Sequence, residues 1–166
     1  MPYQVSVTVH APAELVWAEL IDVERWPRST ASMTTVTRLD AGPLRVGSRA
    51  RVEQPKLPPI VWTVTDLQPP REFTWLVRSP GVTTIASHRL TPASDDGVTL
   101  TLAIERTGLL ALLVDRLTDG LTRRYMAMEA AGLKRVCEAR ATAGNPEPFP
   151  PAADARGVGQ LAPVQR

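Results

Sequence analysis

The sequence predicts an α+β fold: a curved antiparallel sheet of about seven strands, wrapped around one long C-terminal helix, with two short helices inserted after strand one. Three observations predict it. Tyr3–His10 alternates Val5, Val7 and Val9 with Gln4, Ser6 and Thr8, the period of a half-buried strand. Between Thr34 and Ile104 the chain reads as short strands cut by turns rich in proline and glycine. Leu109–Arg140 then carries apolar residues at helical period over roughly nine turns.

The elements follow in order. After the first strand, Ala11-Pro12-Ala13-Glu14 opens a short helix, with Glu14 at the positive end of the dipole and Leu15, Val16, Trp17 and Leu20 on its buried side. Asp22–Pro27 is expected to end or kink it at the proline. Strands are expected at Val36–Asp40, Ser48–Gln54, Ile60–Leu67, Arg71–Arg78 and Val82–Thr91, the last two joined by Pro80-Gly81. The seventh, with Val98, Leu100, Leu102 and Ile104 on one face, has the cleanest alternation in the chain. Along the terminal helix, Leu121, Tyr125, Met128, Gly132 and Val136 form one stripe, and Met126, Ala130, Leu133 and Cys137 the next. Arg123, Arg124, Glu129, Lys134, Arg135 and Glu138 are expected on the other side. Large residues alternate with Ala127, Ala130, Ala131 and Gly132 on this face, so the helix is expected not to fill the hollow of a bent sheet and to leave a pocket.

The chain of 166 residues suits one domain, expected at 1–141, and residues 142–166 read as a Pro/Gly-rich disordered tail. Apolar content of 43%, charge of 22% and a formal net charge of +2, without basic blocks, argue against nucleic acid as a partner. The single Cys137 excludes an internal disulfide and lies on the apolar helix face as an inert thiol. No signal segment or apolar run of spanning length occurs, so no membrane insertion and a cytoplasmic location are expected. His10 and His88 lack the spacing of a metal site, and no GxGxxG, P-loop or GxSxG is present. The expectation is therefore no metal and no cofactor.

Six segments carry a family resemblance: Val7–Trp17 (VTVHAPAELVW), Asp22–Pro27 (DVERWP), Gly42–Arg49 (GPLRVGSR), Trp62–Pro70 (WTVTDLQPP), His88–Pro92 (HRLTP) and Gly108–Leu113 (GLLALL). Together, over about residues 3–140, the chain resembles the START/Bet v 1-like superfamily, specifically its polyketide cyclase/dehydrase branch. The resemblance implies a helix-grip fold. The superfamily includes aromatase/cyclases, lipid and quinone carriers and hydrolases, so several functions remain open. The aromatase/cyclase members carry a tryptophan before a proline, as at Trp26-Pro27, where it lines the cavity mouth, and another at the position of Trp62. They place a hydroxyl and an arginine where this sequence has Asp66 and Gln68.

Strand alternation assigns the inward residues. With Phe73, Trp75, Val77, Leu100 and Leu102 facing in, the set containing Arg89 faces water and His88 faces in; Trp62 and Val64 also point in, with Asp66 following. His88 is the sharpest candidate, because imidazole accepts and releases a proton near neutral pH, as aldol closure and dehydration of a poly-β-ketone require. Its other reading is a structural histidine bonded to a neighbour. Asp66 or Tyr125 is expected to orient it. Trp26, Trp62 and Trp75 would wall a planar ligand, with Val64, Leu100, Leu121 and Met128 completing the apolar surface.

Two functions follow. One is a cofactor-independent cyclase of polyketide or related secondary metabolism, with His88, Tyr125 and Asp66 at the chemistry. The alternative is a non-catalytic carrier of a lipid, quinone or other hydrophobic small molecule. Either acts as a monomer or homodimer.

Overall fold

A computed structural model describes residues 3–93 and 97–144. Seven strands form one antiparallel sheet: β1 (Tyr3–Val9), β2 (Thr35–Arg38), β3 (Arg49–Glu53), β4 (Ile60–Gln68), β5 (Glu72–Ser79), β6 (Val82–Pro92) and β7 (Val98–Thr107). Their spatial order is β1-β7-β6-β5-β4-β3-β2, so each strand after β2 pairs with its sequence neighbour and β1 closes on β7. Short helices α1 (Ala13–Ile21) and α2 (Trp26–Ser29) follow β1, and the long α3 (Ala111–Thr142) ends the described fold. This is the helix-grip architecture. The tail expected at 142–166 lies, beyond Gly144, outside the described residues.

Inward rows run straight across the sheet because paired residues share a face. Phe73, His88 and Leu102 form one row, Trp75, Ala86 and Ile104 the next, and Val77, Thr84 and Arg106 the third. Pro27 does not terminate a helix. It occupies the first turn of α2, where its missing N–H costs nothing, and α1 ends earlier, at Ile21.

α3 packs chiefly against β1, β7, α1 and α2. Gly132 lets it come close to α2: a Cβ there would collide with the Ser29 carbonyl. Glu138 Oε1 accepts from the His10 backbone N–H at 2.9 Å, and an Arg140–Glu19 ion pair joins α3 to α1. The helix is thus held over the β1/β7 side, and the span facing β4–β6 is left to smaller contacts.

Candidate functional site

Between α3 and the sheet lies a cavity of about 430 Å³, in the range of small-molecule sites. Trp62, Trp75, Ala86 and Ile104 line the strand side; Val114, Leu121, Tyr125 and Met126 line the helix side. It reaches the surface at Pro58, Ser79 and Pro80, which are exposed. Nearby, the Leu110 N–H donates to the Gly81 carbonyl at 2.9 Å, fixing the start of α3 beside the β5–β6 turn. Leu109, Leu112 and Leu117 of this corner are exposed.

His88 sits in the cavity wall, 3% exposed. Its ring stacks on Phe73 at 4.2 Å between centroids and 5° between planes, and meets Trp75 edge-on at 5.8 Å. His88 Nε2 lies 3.2 Å from Oε1 of Glu129, which is itself buried at 8% exposure and lines the same cavity. Where Glu129 accepts as a carboxylate, Nε2 is the donor, and in that tautomer of the neutral ring the lone pair is on Nδ1. His88 Nδ1 and Trp75 Nε1 are both buried without a hydrogen-bond partner among the described residues. Buried polar groups are ordinarily paired. An acceptor and a donor left open in one wall suit a ligand oxygen.

Neither Asp66 nor Tyr125 is bonded to His88 among the described residues. Asp66 does not follow Trp62 and Val64 inward, because the β4/β5 register shifts between Val64 and Asp66. Past that bulge Leu67 pairs with inward Phe73, while Asp66 pairs with Thr74 and accepts from Gln68 Nε2 at 2.7 Å. Tyr125 lines the cavity, but its hydroxyl donates to the Pro55 carbonyl and straps α3 to the β3–β4 loop. Glu129, expected on the solvent side, is the side chain found at His88 Nε2. Its signal was its place in the row Leu121, Tyr125, Glu129, Leu133, each four residues on, in the middle of the apolar face.

Of the expected apolar walls, Trp62, Trp75 and Leu121 line the cavity, and the two tryptophans stack at 5.2 Å. Trp26 does not stand at the mouth. It is 1% exposed and packs on Phe73, Trp75 and His88, because α2 turns it down onto the sheet behind the histidine. Val64 and Leu100 are core residues outside the lining, and Met128 is half-buried at the edge of the helix face, its place taken by Met126.

Arg106 has no place among the expected site residues, although the β7 alternation Val98, Leu100, Leu102, Ile104 continues inward to it. It lines the cavity, donating from Nη1 to Asp115 Oδ1 at 2.7 Å and from Nη2 to Thr122 Oγ1 at 3.0 Å. Cys137 is fully buried, and burial pushes its thiol up to about 12. Among the described residues no group of His, Cys, Asp and Glu is arranged to hold a metal ion, and no helix is long and apolar enough to cross a membrane.

The fold and its cavity define a helix-grip, small-molecule-binding class of protein. Residues 3–138 match the family described as polyketide cyclase / dehydrase and lipid transport, and the chain belongs to that family. No curated protein matches it in sequence. Among solved structures it is similar to the Zhui aromatase/cyclase from Streptomyces sp. R1128, at 20% identity and a TM-score of 0.70, covering 87% of this chain and 98% of that one. A START superfamily protein from Mycobacterium smegmatis is similar at 16% identity and a TM-score of 0.64, covering 81% of this chain and 97% of that one. The di-domain ARO/CYC BexL from the BE-7585A biosynthetic pathway is similar at 20% identity and a TM-score of 0.61, covering 87% of this chain and 48% of that one.

Proposed function

We propose that the chain is a cofactor-independent cyclase of the aromatase type, acting on a poly-keto or polycyclic intermediate held between sheet and α3. The observation that carries this reading is the His88–Glu129 pair in the wall of an aromatic-lined cavity, with Nδ1 unpartnered. His88 Nδ1 takes a proton from a methylene flanked by two carbonyls, and the resulting enolate carbon attacks a ketone within the same chain. The imidazolium then returns the proton to the alkoxide, and loss of water gives the unsaturated ring. Glu129 orients the ring through Nε2 and stabilises the imidazolium, the logic of a base held by an acid. Trp62 and Trp75 select a flat conformer, and exclusion of water limits side reactions. Tyr125 serves as wall and strap. Residues 1–141 form the working unit in this reading.

The test is His88→Gln assayed on a synthetic poly-β-ketone thioester. A fall in cyclised product of at least about a hundredfold is expected, the usual scale of a lost acid/base. An unchanged rate and product profile removes His88 from the chemistry. The apolar lining and the lipid-transport half of the family's description support a second reading, a carrier in which His88 anchors one polar group. Native mass spectrometry of the protein from its own host separates them: a stoichiometric lipid that persists without turnover favours the carrier.

A further inference from the structure

The proposed chemistry uses one end of the cavity and leaves Arg106 unexplained. Arg106 belongs to the row with Thr84 and Val77, and His88 lies four residues from Thr84 along β6. Four residues of strand place the backbone rows of His88 and Arg106 about 13 Å apart along the sheet. The walls between them, Trp75, Ala86 and Ile104, are apolar. Guanidinium carries five N–H donors, and the contacts to Asp115 and Thr122 use two of them. Arg106 lines the cavity as it tethers β7 to α3, so its remaining donors lie in the cavity wall.

Charge selects the ligand. The charge of Arg106 is already cancelled by Asp115, and the other end of the cavity holds Glu129. A ligand carboxylate would therefore meet a neutralised cation at one pole and a carboxylate at the other, in an apolar surround where an uncompensated charge is costly. A neutral oxygen meets the opposite situation. Arg106 N–H donors suit a carbonyl or phenol oxygen, and at the far end His88 Nδ1 accepts from a hydroxyl whose oxygen can take the Trp75 N–H. The two rows are separated by an apolar stretch, so a ligand that reaches both poles is elongated, with an oxygen at each end.

We infer that Arg106, with Asp115 and Thr122, is a second oxygen-binding pole, and that the cavity takes neutral, elongated ketones or phenols with an oxygen at each end, rejecting the corresponding acids. This rests on the reading that the cavity binds the substrate, and the experiment separates the two claims. The full chain is titrated at pH 7 with 2,6-dihydroxynaphthalene, 2-naphthol and 6-hydroxy-2-naphthoic acid, following quenching of tryptophan fluorescence and confirming by calorimetry. The diol binds at least tenfold tighter than 2-naphthol, and the acid at least tenfold weaker than the diol, the scale of one hydrogen bond to a charged group. Arg106→Met with Asp115→Asn, which removes both charges so that no carboxylate is orphaned, brings the diol down to the affinity of 2-naphthol. The wild-type comparison of the three probes stands even where that variant fails to fold. Equal binding of diol and 2-naphthol, or an acid that binds as tightly as the diol, overturns the second pole. Ala86→Trp, which fills the middle of the cavity, locates the probes. If it abolishes 2-naphthol binding and the diol has no advantage, only the pole is lost; if it leaves binding intact, the probes sit elsewhere and both claims fall.

Discussion

Replacing Glu129 by glutamine and His88 by alanine, separately and together, measures whether these two side chains act as one unit. Glu129 is buried, and its described side-chain partner is His88 Nε2 at 3.2 Å. A buried carboxylate loses hydration worth several kcal/mol and recovers part of it through a charge-assisted bond of about 1.5–3 kcal/mol. Glutamine keeps the shape and an oxygen for Nε2–H while removing the cost of burying charge, so Glu129→Gln alone is expected to change stability by less than about 1 kcal/mol. His88→Ala leaves the carboxylate without its donor and removes a ring stacked on Phe73 at 4.2 Å, for a cost of about 3–5 kcal/mol. In the Glu129→Gln background the same alanine substitution should cost about 1.5–3 kcal/mol less, because no charge is then orphaned. The assay is urea unfolding followed by tryptophan fluorescence and circular dichroism on all four proteins. Additivity within about 0.5 kcal/mol would falsify the pairing, and with it the orientation of His88 on which the acid/base proposal stands.

Tyr125→Phe removes the bond to the Pro55 carbonyl and should cost about 1 kcal/mol, or ~2–4 °C in thermal unfolding, with little effect on turnover; a large loss of turnover would return the hydroxyl to the chemistry. The Cys137 thiol, pushed up to about 12 by burial, should resist a maleimide at pH 8 in the native protein and react fully in urea, and rapid native labelling would contradict the packing of α3. Glu138 is held below the ordinary carboxylate value of 4.5, first by the His10 backbone N–H and then by Lys134. Its stabilisation is therefore present above about pH 4.5 and lost as pH falls through the lower folded value, so Glu138→Gln should be destabilised at pH 7 and its deficit against wild type should shrink as pH falls below the ordinary carboxylate range in denaturant titrations.

Periodicity made the scaffold legible, and position-specific breaks in it hid the site. Seven strands and a terminal helix follow from runs such as Val98, Leu100, Leu102 and Ile104, whose period is enforced over the whole element by burial of one face. The helix expected at Leu109–Arg140 forms at Ala111–Thr142, since its buried stripe fixes the middle and the ends are set by local hydrogen bonding. Asp66 illustrates where such reasoning stops. One bulge after Val64 turns every later side chain of β4 to the other face, and no glycine or proline marks it within the strand.

Glu129 and Arg106 were hidden for a different reason, which also bears on function. Reading charge as a mark of solvent is sound for an isolated ionic group, because its burial is costly. It fails where a partner from distant sequence offsets that cost: His88 is 41 positions from Glu129, so nothing near the glutamate announces its histidine. Arg106 and Asp115 are nearer, yet they meet only because β7 and α3 fold back on one another. The helix that grips the sheet therefore supplies a carboxylate to each polar pole of the cavity, Asp115 near its start and Glu129 further along. Each carboxylate meets a basic group from the strands, His88 from β6 and Arg106 from β7. Sliding α3 along its axis by one turn would separate both pairs at once, which makes the anchoring of its far half by Glu138, Arg140 and Gly132 a condition for the polar geometry as well as for stability.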